Sequence, residues 1–330
     1  MKTLCKICAS VCVLLIALVA VSCYPEQESM GDVGQSLIRY TPGDQFALMA
    51  ISPLAVPQNI DLISFKRDVA NSTALNQSTS VVMTLDADGS LIKKYNAANG
   101  TDFIAMPTDK YSISPAVASG KVSFTFGPGG IEKTIVVTVP NASSFDFSKS
   151  YMLAFKVTIS GEGTFSKSVS DTIYRQIMAT NRLDGQYNVT GTLVDLAIGT
   201  ITGNYPMTVN LVTTGEHQVR FEEPAADPWG SVIFHSIMSG GAMSVYGSFG
   251  LVVTFDASNK AVSIVNYYGQ PAGNTRSAEL DPSGVNKYDP VTKTIKIKYF
   301  MKQPSVVPIA PNIRTTFDET WTYNKSRFEK

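Results

Sequence analysis

The segment "NYYGQPAGNTRSAE", residues 266–279, concentrates side chains that could recognise a sugar. Sugars present apolar C–H faces, which flat aromatic rings cover, and hydroxyl groups, which amides, carboxylates and guanidinium groups hydrogen-bond. The segment supplies all of these groups, and the apparent loop "ADPWGS" adds a tryptophan. The candidate ligand-binding residues are therefore Trp229, Tyr267, Tyr268, Gln270, Asn274, Arg276 and Glu279.

An architectural interpretation of the same segment remains open. Successive strand residues point to opposite faces, so one of Tyr267 and Tyr268 packs inward if the strand continues. Arg276 could pair with Glu279 or Asp281 instead of contacting a ligand.

Residues for catalysis are sparse. The two histidines, His217 and His235, stand in no HExxH-type ligand spacing, and the chain has no GxSxG nucleophile elbow. The acidic pairs in "FEEP" and "FDETW" could serve a glycosidase, but adjacent strand residues diverge, which favours solvated carboxylates. We therefore expect a protein that is not an enzyme and uses no metal or cofactor. The paired carboxylates are Glu222, Glu223, Asp318 and Glu319.

The N-terminus predicts export. Two lysines precede the apolar run 7–21, which has the length of a secretory signal and is short for a membrane span. The run ends in "ALVAVSC", where Ser22 before Cys23 resembles a bacterial lipobox, although Ala20 replaces the usual leucine. Residues 1–22 are thus a predicted lipoprotein signal peptide, and Cys23 is the predicted lipidation site. A plain signal peptide followed by a chance cysteine is the alternative.

Cysteine usage agrees with anchoring. The chain has four cysteines, and cleavage before Cys23 would discard the other three. An exported chain with one cysteine forms no intramolecular disulfide and no thiolate metal site. We expect the protein in the outer membrane, held by its lipid and facing outward.

The size and charge of the chain indicate its number of domains and argue against a nucleic-acid-binding protein. The mature chain of about 300 residues is long enough for two domains. The 27 basic and 27 acidic residues leave no net charge, so no basic excess would attract nucleic acid.

Period-two hydrophobicity predicts an all-β fold. In "YMLAFKVTIS" five alternate apolar residues share one face, and "KVSFTFGPGGIEKTIVVTV" has the pattern of a hairpin with "GPGG" as its turn. The one helical candidate is "GSLIKKYNAANG", with Gly100 as its stop. These patterns predict an Ig-like β-sandwich over residues 46–182, after a tether at 23–45.

The second half continues with antiparallel strand patterns. "LVVTFDASNKAVSIVNYYG" has the form of a hairpin with "DASNK" as its turn, and "RTTFDETWTY" closes the chain. Residues 183–330 are predicted to form a small meander barrel or a second sandwich. We expect the boundary, Leu183 to Gly185, to be the most protease-sensitive junction.

Several motifs resemble a known family. "ISFKRDVAN", "KKYNAANGTDFIAMPTDKYSIS" and "SYMLAFKVTIS" resemble the N-terminal domain of Bacteroidetes outer-surface lipoproteins that accompany SusC/SusD-type glycan-uptake systems. Related domains precede glycosidase modules. The resemblance covers residues 40–180, while "GQYNVTGTLVDL" and "FDETWTY" look like the partner domain of unknown function. It implies glycan handling at the cell surface and supplies no catalytic residues.

One short motif belongs to the same bacterial group. "DTI" at residues 171–173 resembles its O-glycosylation acceptor, with Thr172 as the acceptor.

These observations together predict a cell-surface lipoprotein that binds a glycan for an uptake system without cleaving it. The sandwich would serve as spacer and scaffold, and the second domain would carry the ligand surface. A structural or assembly protein that contacts other surface proteins is the alternative, followed by a glycosidase of unrecognised type.

The anchor can be tested by Cys23→Ala. Lipid chains contribute about 0.8 kcal/mol per buried CH₂, so their loss should release the protein from the outer membrane with its folded domains intact. Membrane fractionation measures retention, and circular dichroism of the released protein controls for folding. Retention of the variant at the wild-type level would contradict a lipid anchor on Cys23.

Overall fold

The computed structural model of the protein describes residues 34–328. The predicted signal peptide, the lipidation site Cys23 and the first part of the predicted tether lie outside these residues. Within them, no helix has the length and apolar character needed to cross a bilayer.

The first half of the described chain is a β-sandwich. One sheet has the order β10-β1-β3-β8-β6, and the other has the order β2-β11-β9-β4-β7 with β5 beside β9. Two short helices are present in this half: α1 (Ser72–Leu75) lies in the connection from one sheet to the other, and α2 (Ser90–Asn99) lies between β4 and β5. There are 3₁₀ turns at Thr108–Lys110 and Ala142–Ser144. The strands are β1 (Leu37–Thr41), β2 (Phe46–Ile51), β3 (Gln58–Asp68), β4 (Thr79–Leu85), β5 (Ile104–Ala105), β6 (Ser112–Ser114), β7 (Lys121–Phe126), β8 (Glu132–Val139), β9 (Tyr151–Gly161), β10 (Thr164–Phe165) and β11 (Thr172–Ala179).

The sandwich core follows the predicted alternation, and the predicted helix is present. Strand β9 turns its alternate apolar residues into the core between the sheets. Its other face is buried as well, because α2 packs Ile92 against Met152 and Ala154. Asp86 caps α2 by accepting from the backbone of its first turn, and Gly100 ends the helix with φ +64°.

The predicted hairpin over "KVSFTFGPGGIEKTIVVTV" is wrong. Strand β7 pairs with β4 in one sheet, while β8 pairs with β3 and β6 in the other. The "GPGG" turn therefore crosses from sheet to sheet. Both strands still turn their apolar residues into one shared core, so the alternation was correct and only the pairing differs.

The predicted tether is shorter than residues 23–45. Strand β1 begins at Leu37 and pairs antiparallel with β3, and its side chains Ile38 and Tyr40 are buried in the sandwich core. The polar composition of the segment concealed two alternate apolar positions, which suffice to add a strand to the sheet between β3 and the short β10.

The second half forms a meander that nearly closes into a barrel. Its main sheet has the order β19-β18-β15-β14-β12-β23-β22-β20 with β21 beside β22, and a small sheet β13-β16-β17 packs on it. The strands are β12 (Gly185–Asp195), β13 (Thr202–Gly203), β14 (Met207–Gly215), β15 (Gln218–Glu222), β16 (Ser236–Ser239), β17 (Ala242–Val245), β18 (Leu251–Phe255), β19 (Ala261–Asn266), β20 (Ser277–Leu280), β21 (Lys287–Asp289), β22 (Thr294–Lys302) and β23 (Ile313–Lys325).

Backbone contacts bring the two ends of this sheet together. Ala261 N donates to Asn286 O at 2.8 Å, and Tyr288 N donates to Asn259 O at 2.9 Å. Closure removes exposed strand edges, and a meander of eight strands leaves an interior that side chains can fill. The all-β prediction is confirmed, and of its two alternatives for the second half the near-barrel is the one observed.

The junction between the halves is buried rather than open. Leu183 is fully buried, and Asn181 Nδ2 donates to Gly215 O and Gln218 O, both at 2.9 Å. Asp184 accepts from Thr213 N at 2.9 Å and from Arg327 Nε at 2.6 Å. The expectation that this junction is the most protease-sensitive point does not fit these contacts, because cleavage needs an accessible, extended backbone.

Trypsin tests the junction directly. The Arg182–Leu183 bond should resist cleavage in the folded protein while exposed sites such as Lys167 are cut. The same bond should be cut readily in urea, which serves as the control for its intrinsic susceptibility. Mass spectrometry of a digestion time course would contradict the buried junction if Arg182–Leu183 were the first bond cleaved in buffer.

Candidate functional site

A cleft of about 420 Å³ lies between the sandwich and the barrel. Its sandwich wall is the loop before β9 together with the end of β11. Its barrel wall is the outer face of β14 and β15, together with Tyr267 beyond the end of β19 and Arg327 near the C-terminus. Clefts at domain interfaces are common ligand sites.

The barrel wall is built by strand register. Val212, Arg220, Val252 and Val265 stand opposite one another across β14, β15, β18 and β19, on the outward face. Tyr267 continues this face one step beyond the end of β19. Its ring is 46% exposed, which is a large aromatic surface to leave in water.

The guanidinium group of Arg220 packs against the ring of Tyr267. The guanidinium lies 5.4 Å from the ring centroid, and it donates through Nε to Glu222 Oε1 at 2.9 Å. A second, shorter bond from Nη2 reaches the same oxygen. Because two bonds to Glu222 hold the guanidinium, the exposed ring is presented by a fixed support.

Tyr268, half-buried in the turn after β19, packs its ring edge-on against that of Tyr267, with the ring centroids 5.1 Å apart. Its Oη donates to Ser231 Oγ at 2.6 Å, and its ring packs 5.4 Å from that of Phe234. Asn266 stabilises the turn that carries both tyrosines, since its Oδ1 accepts from Tyr268 N and its Nδ2 donates to the carbonyl of Arg276. Strand β19 ends at Asn266, so the alternation that would turn one of the two tyrosines into the core does not extend to them. Tyr267 lines the cleft, and Tyr268 packs between it and Phe234.

The sandwich wall was not predicted as part of a site. Asp146 Oδ1 accepts from Ser148 N at 2.9 Å and Ser148 Oγ at 2.6 Å, which keeps the pKa of Asp146 below its usual value. Tyr151 Oη accepts from Asp146 N at 3.2 Å, so the loop is fixed to β9. The half-buried Phe147 faces the cleft from this side. The available sequence signal was "SFDFSKSY", in which aromatic residues alternate with polar ones.

Three predicted ligand residues lie outside the cleft lining. Trp229 ends the 3₁₀ helix Pro224–Trp229 and is 40% exposed. Gln270 is exposed in the turn after Tyr268, and Asn274 Oδ1 accepts from Gln303 Nε2 at 2.9 Å. That bond ties the loop of Asn274 to the connection between β22 and β23.

Two further predicted residues are also elsewhere. Glu279 forms an exposed ion pair with Lys302. Arg276 pairs with neither Glu279 nor Asp281 and lies near Gly247 at the end of the barrel. Burial, and then the charge of Arg314, lower the pKa of Arg276 to about 10. The proposed architectural pairing of Arg276 is thus wrong, and so is its placement beside the tyrosines.

Thr172 begins β11 at the rim of the sandwich. Its Oγ1 donates to Asp171 Oδ1 at 3.0 Å and accepts from Lys156 Nζ at 3.3 Å, beside the ion pair of Lys156 with Asp171. Its modification by a glycan stays a prediction.

A second group of titratable side chains lies inside the barrel. Glu319 is fully buried and accepts from His235 Nε2 at 2.9 Å, from Trp321 Nε1 at 2.8 Å and from Tyr205 Oη. Glu223 is fully buried too, and accepts from Ser236 N at 2.9 Å. The expectation of solvated carboxylates is therefore wrong for these two residues.

The geometry around His235 indicates an imidazolium. Nδ1 lies 2.8 Å from the carbonyl oxygen of Ser236, which can only accept, so Nδ1 carries a proton. Burial lowers the pKa of His235, but the hydrogen bond and charge of Glu319 outweigh it and leave the pKa raised. Burial likewise raises the pKa of Glu319, and the charge of His235 reverses this and leaves it lowered. His235 and Glu319 therefore form a buried ion pair inside the barrel.

Alternation explains why sequence analysis missed this cluster. Glu223 and Glu319 point inward, while their neighbours Glu222 and Asp318 point outward, as adjacent strand residues must. The inward carboxylates converge from different parts of the chain on His235. Across residues 34–328, no three His, Cys, Asp or Glu side chains are grouped so as to hold a metal ion.

Comparisons with known proteins agree with the fold. Residues 58–163 match a family model described as a "-like, N-terminal domain", which lies within the residues that carried the resemblance above. No curated protein matches the chain.

Solved structures that are similar to this chain include three from Bacteroides species. A Bacteroides ovatus protein of unknown function has a TM-score of 0.50 at 12% identity, covering 89% of this chain and 96% of its own. A candidate carbohydrate-binding protein from Bacteroides ovatus has 0.34 at 12%, covering 88% and 98%. Bacteroides thetaiotamicron EndoBT-3987, solved with a Man5GlcNAc product, has 0.27 at 15%, covering 43% and 30%. At these identities the likeness concerns the fold alone.

The buried ion pair can be tested by substituting one partner. Breaking such a pair leaves an uncompensated buried charge, so Glu319→Gln should lower the free energy of unfolding by about 3 kcal/mol or more. Asp318 is the exposed neighbour of Glu319, and Asp318→Asn should change the free energy of unfolding by less than about 0.5 kcal/mol. Urea denaturation of both variants measures the difference. Equal effects of the two substitutions would contradict the role of the pair.

The pair also predicts a pH dependence. Because the folded pKa of His235 lies above its ordinary 6.5, its stabilisation is complete below pH 6.5 and is lost as the pH rises through the folded pKa. Because the folded pKa of Glu319 lies below 4.5, its stabilisation is lost only as the pH falls through that lower value. Thermal melts at increasing pH above 6.5 should show a decline in the wild type that is absent from Glu319→Gln.

Proposed function

We propose that the cleft between the sandwich and the barrel binds an oligosaccharide or polysaccharide without cleaving it. The observation that carries this proposal is the exposed ring of Tyr267, held by Arg220 and Glu222 at the edge of a polar cleft. A flat, supported aromatic ring can cover the apolar C–H face of a pyranose, and the fixed hydrogen-bonding groups beside it can bind the hydroxyl groups.

The two walls supply different contacts. Tyr267 offers its ring from the barrel, and Phe147 offers apolar surface from the sandwich. Ser148 and Ser150 bring hydroxyl groups, and Arg220 and Glu222 bring charged donors and acceptors. The sandwich is therefore half of the proposed site, which extends the spacer role expected from the sequence.

The carboxylates of the cleft support binding rather than hydrolysis. A glycosidase needs a general acid, which is a carboxyl group whose pKa is raised. Asp146 has its pKa lowered by the hydrogen bonds of Ser148, and Glu222 is bonded to Arg220. Both groups are held as acceptors, so we infer that the protein is not an enzyme.

Cys23 would place this site at the cell surface. A lipid on Cys23 would anchor the protein in the outer membrane, and the segment from Cys23 to β1 would separate the cleft from the bilayer. We infer that the protein serves an uptake complex of the SusC/SusD type, to which it would present captured glycan.

The proposal can be tested on the aromatic residues. Tyr267→Ala should weaken binding of a glycan found on an array by about thirtyfold, equal to about 2 kcal/mol, with an unchanged melting temperature. Tyr267→Phe, which keeps the ring, should retain most of the affinity. Calorimetric titration and thermal melts measure the two quantities.

Two other aromatic residues serve as controls. Trp229→Ala removes an exposed ring outside the cleft lining and should leave affinity unchanged. Tyr268→Ala removes a packed ring and its bond to Ser231, so it should lower the melting temperature. A normal affinity in Tyr267→Ala would contradict the cleft as the site, and reducing ends released from a bound polysaccharide would contradict a non-catalytic protein.

A further inference from the structure

One end of the barrel holds a guanidinium group that the fold leaves without a partner. Nε and Nη1 of Arg276 are buried, and within residues 34–328 neither nitrogen has a hydrogen-bond acceptor. No carboxylate of this part of the chain contributes to the electrostatic surroundings of Arg276, which consist of Arg314 and Tyr246. Buried donors without acceptors are rare in folded proteins, because each one gives up its hydration without replacing it.

The nearest charge makes the position of Arg276 less favourable still. Arg314 is positive as well, and its charge adds to the effect of burial in lowering the pKa of Arg276 to about 10. Arg276 is therefore still charged at neutral pH. Two cations held close together in partly buried surroundings require a compensating anion.

Asp195 supplies that compensation for only one of the two cations. Its Oδ2 accepts from Arg314 Nε at 3.1 Å and from Tyr246 Oη at 2.8 Å. Its Oδ1 accepts from the backbone nitrogens of Ala197 and Ile198, at 2.9 and 2.8 Å. Both oxygens are thus occupied, and one positive charge is left over at this end of the barrel.

The backbone fixes the position of Arg276. Asn266 Nδ2 donates to the carbonyl oxygens of Arg276 and Ser248, both at 3.0 Å, and Ser305 N donates to Thr275 Oγ1 at 3.0 Å. Three connections between strands therefore meet around Arg276, and none of these residues lines the cleft. The third nitrogen of the guanidinium, Nη2, is not enclosed as Nε and Nη1 are, so a ligand can reach it from solvent.

We propose that Arg276 binds a carboxylate group at this end of the barrel, in a site separate from the cleft. The charge of a guanidinium is shared by its three nitrogens, so an anion at Nη2 compensates the whole group. A single excess charge matches a carboxylate, which carries one negative charge and fits the planar donors of arginine. A small free carboxylate and an acidic sugar would both supply this group. The site does not depend on glycan binding in the cleft.

Stability without a ligand gives the first test. Arg276→Gln removes the uncompensated charge, so it should raise the melting temperature by about 2 °C or more in a dilute zwitterionic buffer. Arg39→Gln is the matched control, because Arg39 is an exposed arginine that is already paired with Asp68. It should change the melting temperature by less than about 1 °C.

Titration with anions gives the second test. A ligand that binds the folded state raises the melting temperature as its concentration increases. Sodium glucuronate should therefore stabilise the wild type and Arg39→Gln more than sodium chloride at equal concentration does, and glucose should have no comparable effect. Arg276→Gln should respond equally to glucuronate and chloride. Sodium acetate distinguishes the two sources, since a smaller response to acetate than to glucuronate would indicate that the sugar ring also contributes.

Nuclear magnetic resonance of the wild type tests the contact without relying on a variant's fold. The Nε–H group of Arg276 gives a side-chain signal in ¹⁵N-labelled protein, and the spectrum of Arg276→Gln identifies it by its absence. Glucuronate should shift this signal in a saturable manner, whereas the Nε–H signal of Arg39 should follow the chloride control.

The outcomes decide the proposal as follows. An equal preference for glucuronate over chloride in the wild type and Arg276→Gln would overturn the site, even if the variant were the more stable protein. Equal effects of chloride and both carboxylates, or an Arg276 signal that does not move with glucuronate, would overturn it too. A response to acetate as large as that to glucuronate would support the site and show that a free carboxylate is sufficient.

Discussion

The proposed site depends on the buried junction between the two halves of the chain. Asn181 and Asp184 hydrogen-bond to the hairpin of β14 and β15, and Arg327 returns from the end of β23 to Asp184. Each buried polar group at this point has a partner, which is the condition for burying such groups at low cost. The hairpin fixed in this way carries Arg220 and Glu222, so the same contacts that join the halves also position one wall of the cleft.

Because side chains alternate along the barrel strands, inward residues stabilise the fold and outward residues are available for recognition. Inward residues of β15, β18, β22 and β23 belong to the barrel core, while outward residues of β14 and β15 build the wall of the cleft. Adjacent residues therefore have unlike roles. Glu222 holds Arg220 at the surface and Glu223 is buried, and Tyr267 is exposed while Tyr268 is packed.

The buried pair of Glu319 and His235 matters for binding because it makes the barrel rigid. A buried ion pair adds little net stability, since burying two charges costs about as much as their attraction returns. Its hydrogen bonds are directional, however, and those of Glu319 hold Trp321 of the same strand together with Tyr205 and His235 from distant parts of the chain. A ligand that meets an ordered wall loses less entropy on binding than one that must order it.

The local sequence pattern was enough to predict many of the strands and one helix, and to predict for some of them which face is apolar. Period-two hydrophobicity predicted an all-β chain and the hairpin of β18 and β19, and the apolar spacing and Gly100 predicted α2. These features depend on neighbours within a few residues. Tertiary structure alone decided that β7 and β8 belong to different sheets, that Glu223 and Glu319 are buried, and that the loop of Asp146 and Phe147 completes the cleft. The physical reason is that alternation specifies which face of a strand is apolar, whereas strand pairing, burial of a charge and the meeting of two walls depend on residues far apart in the chain.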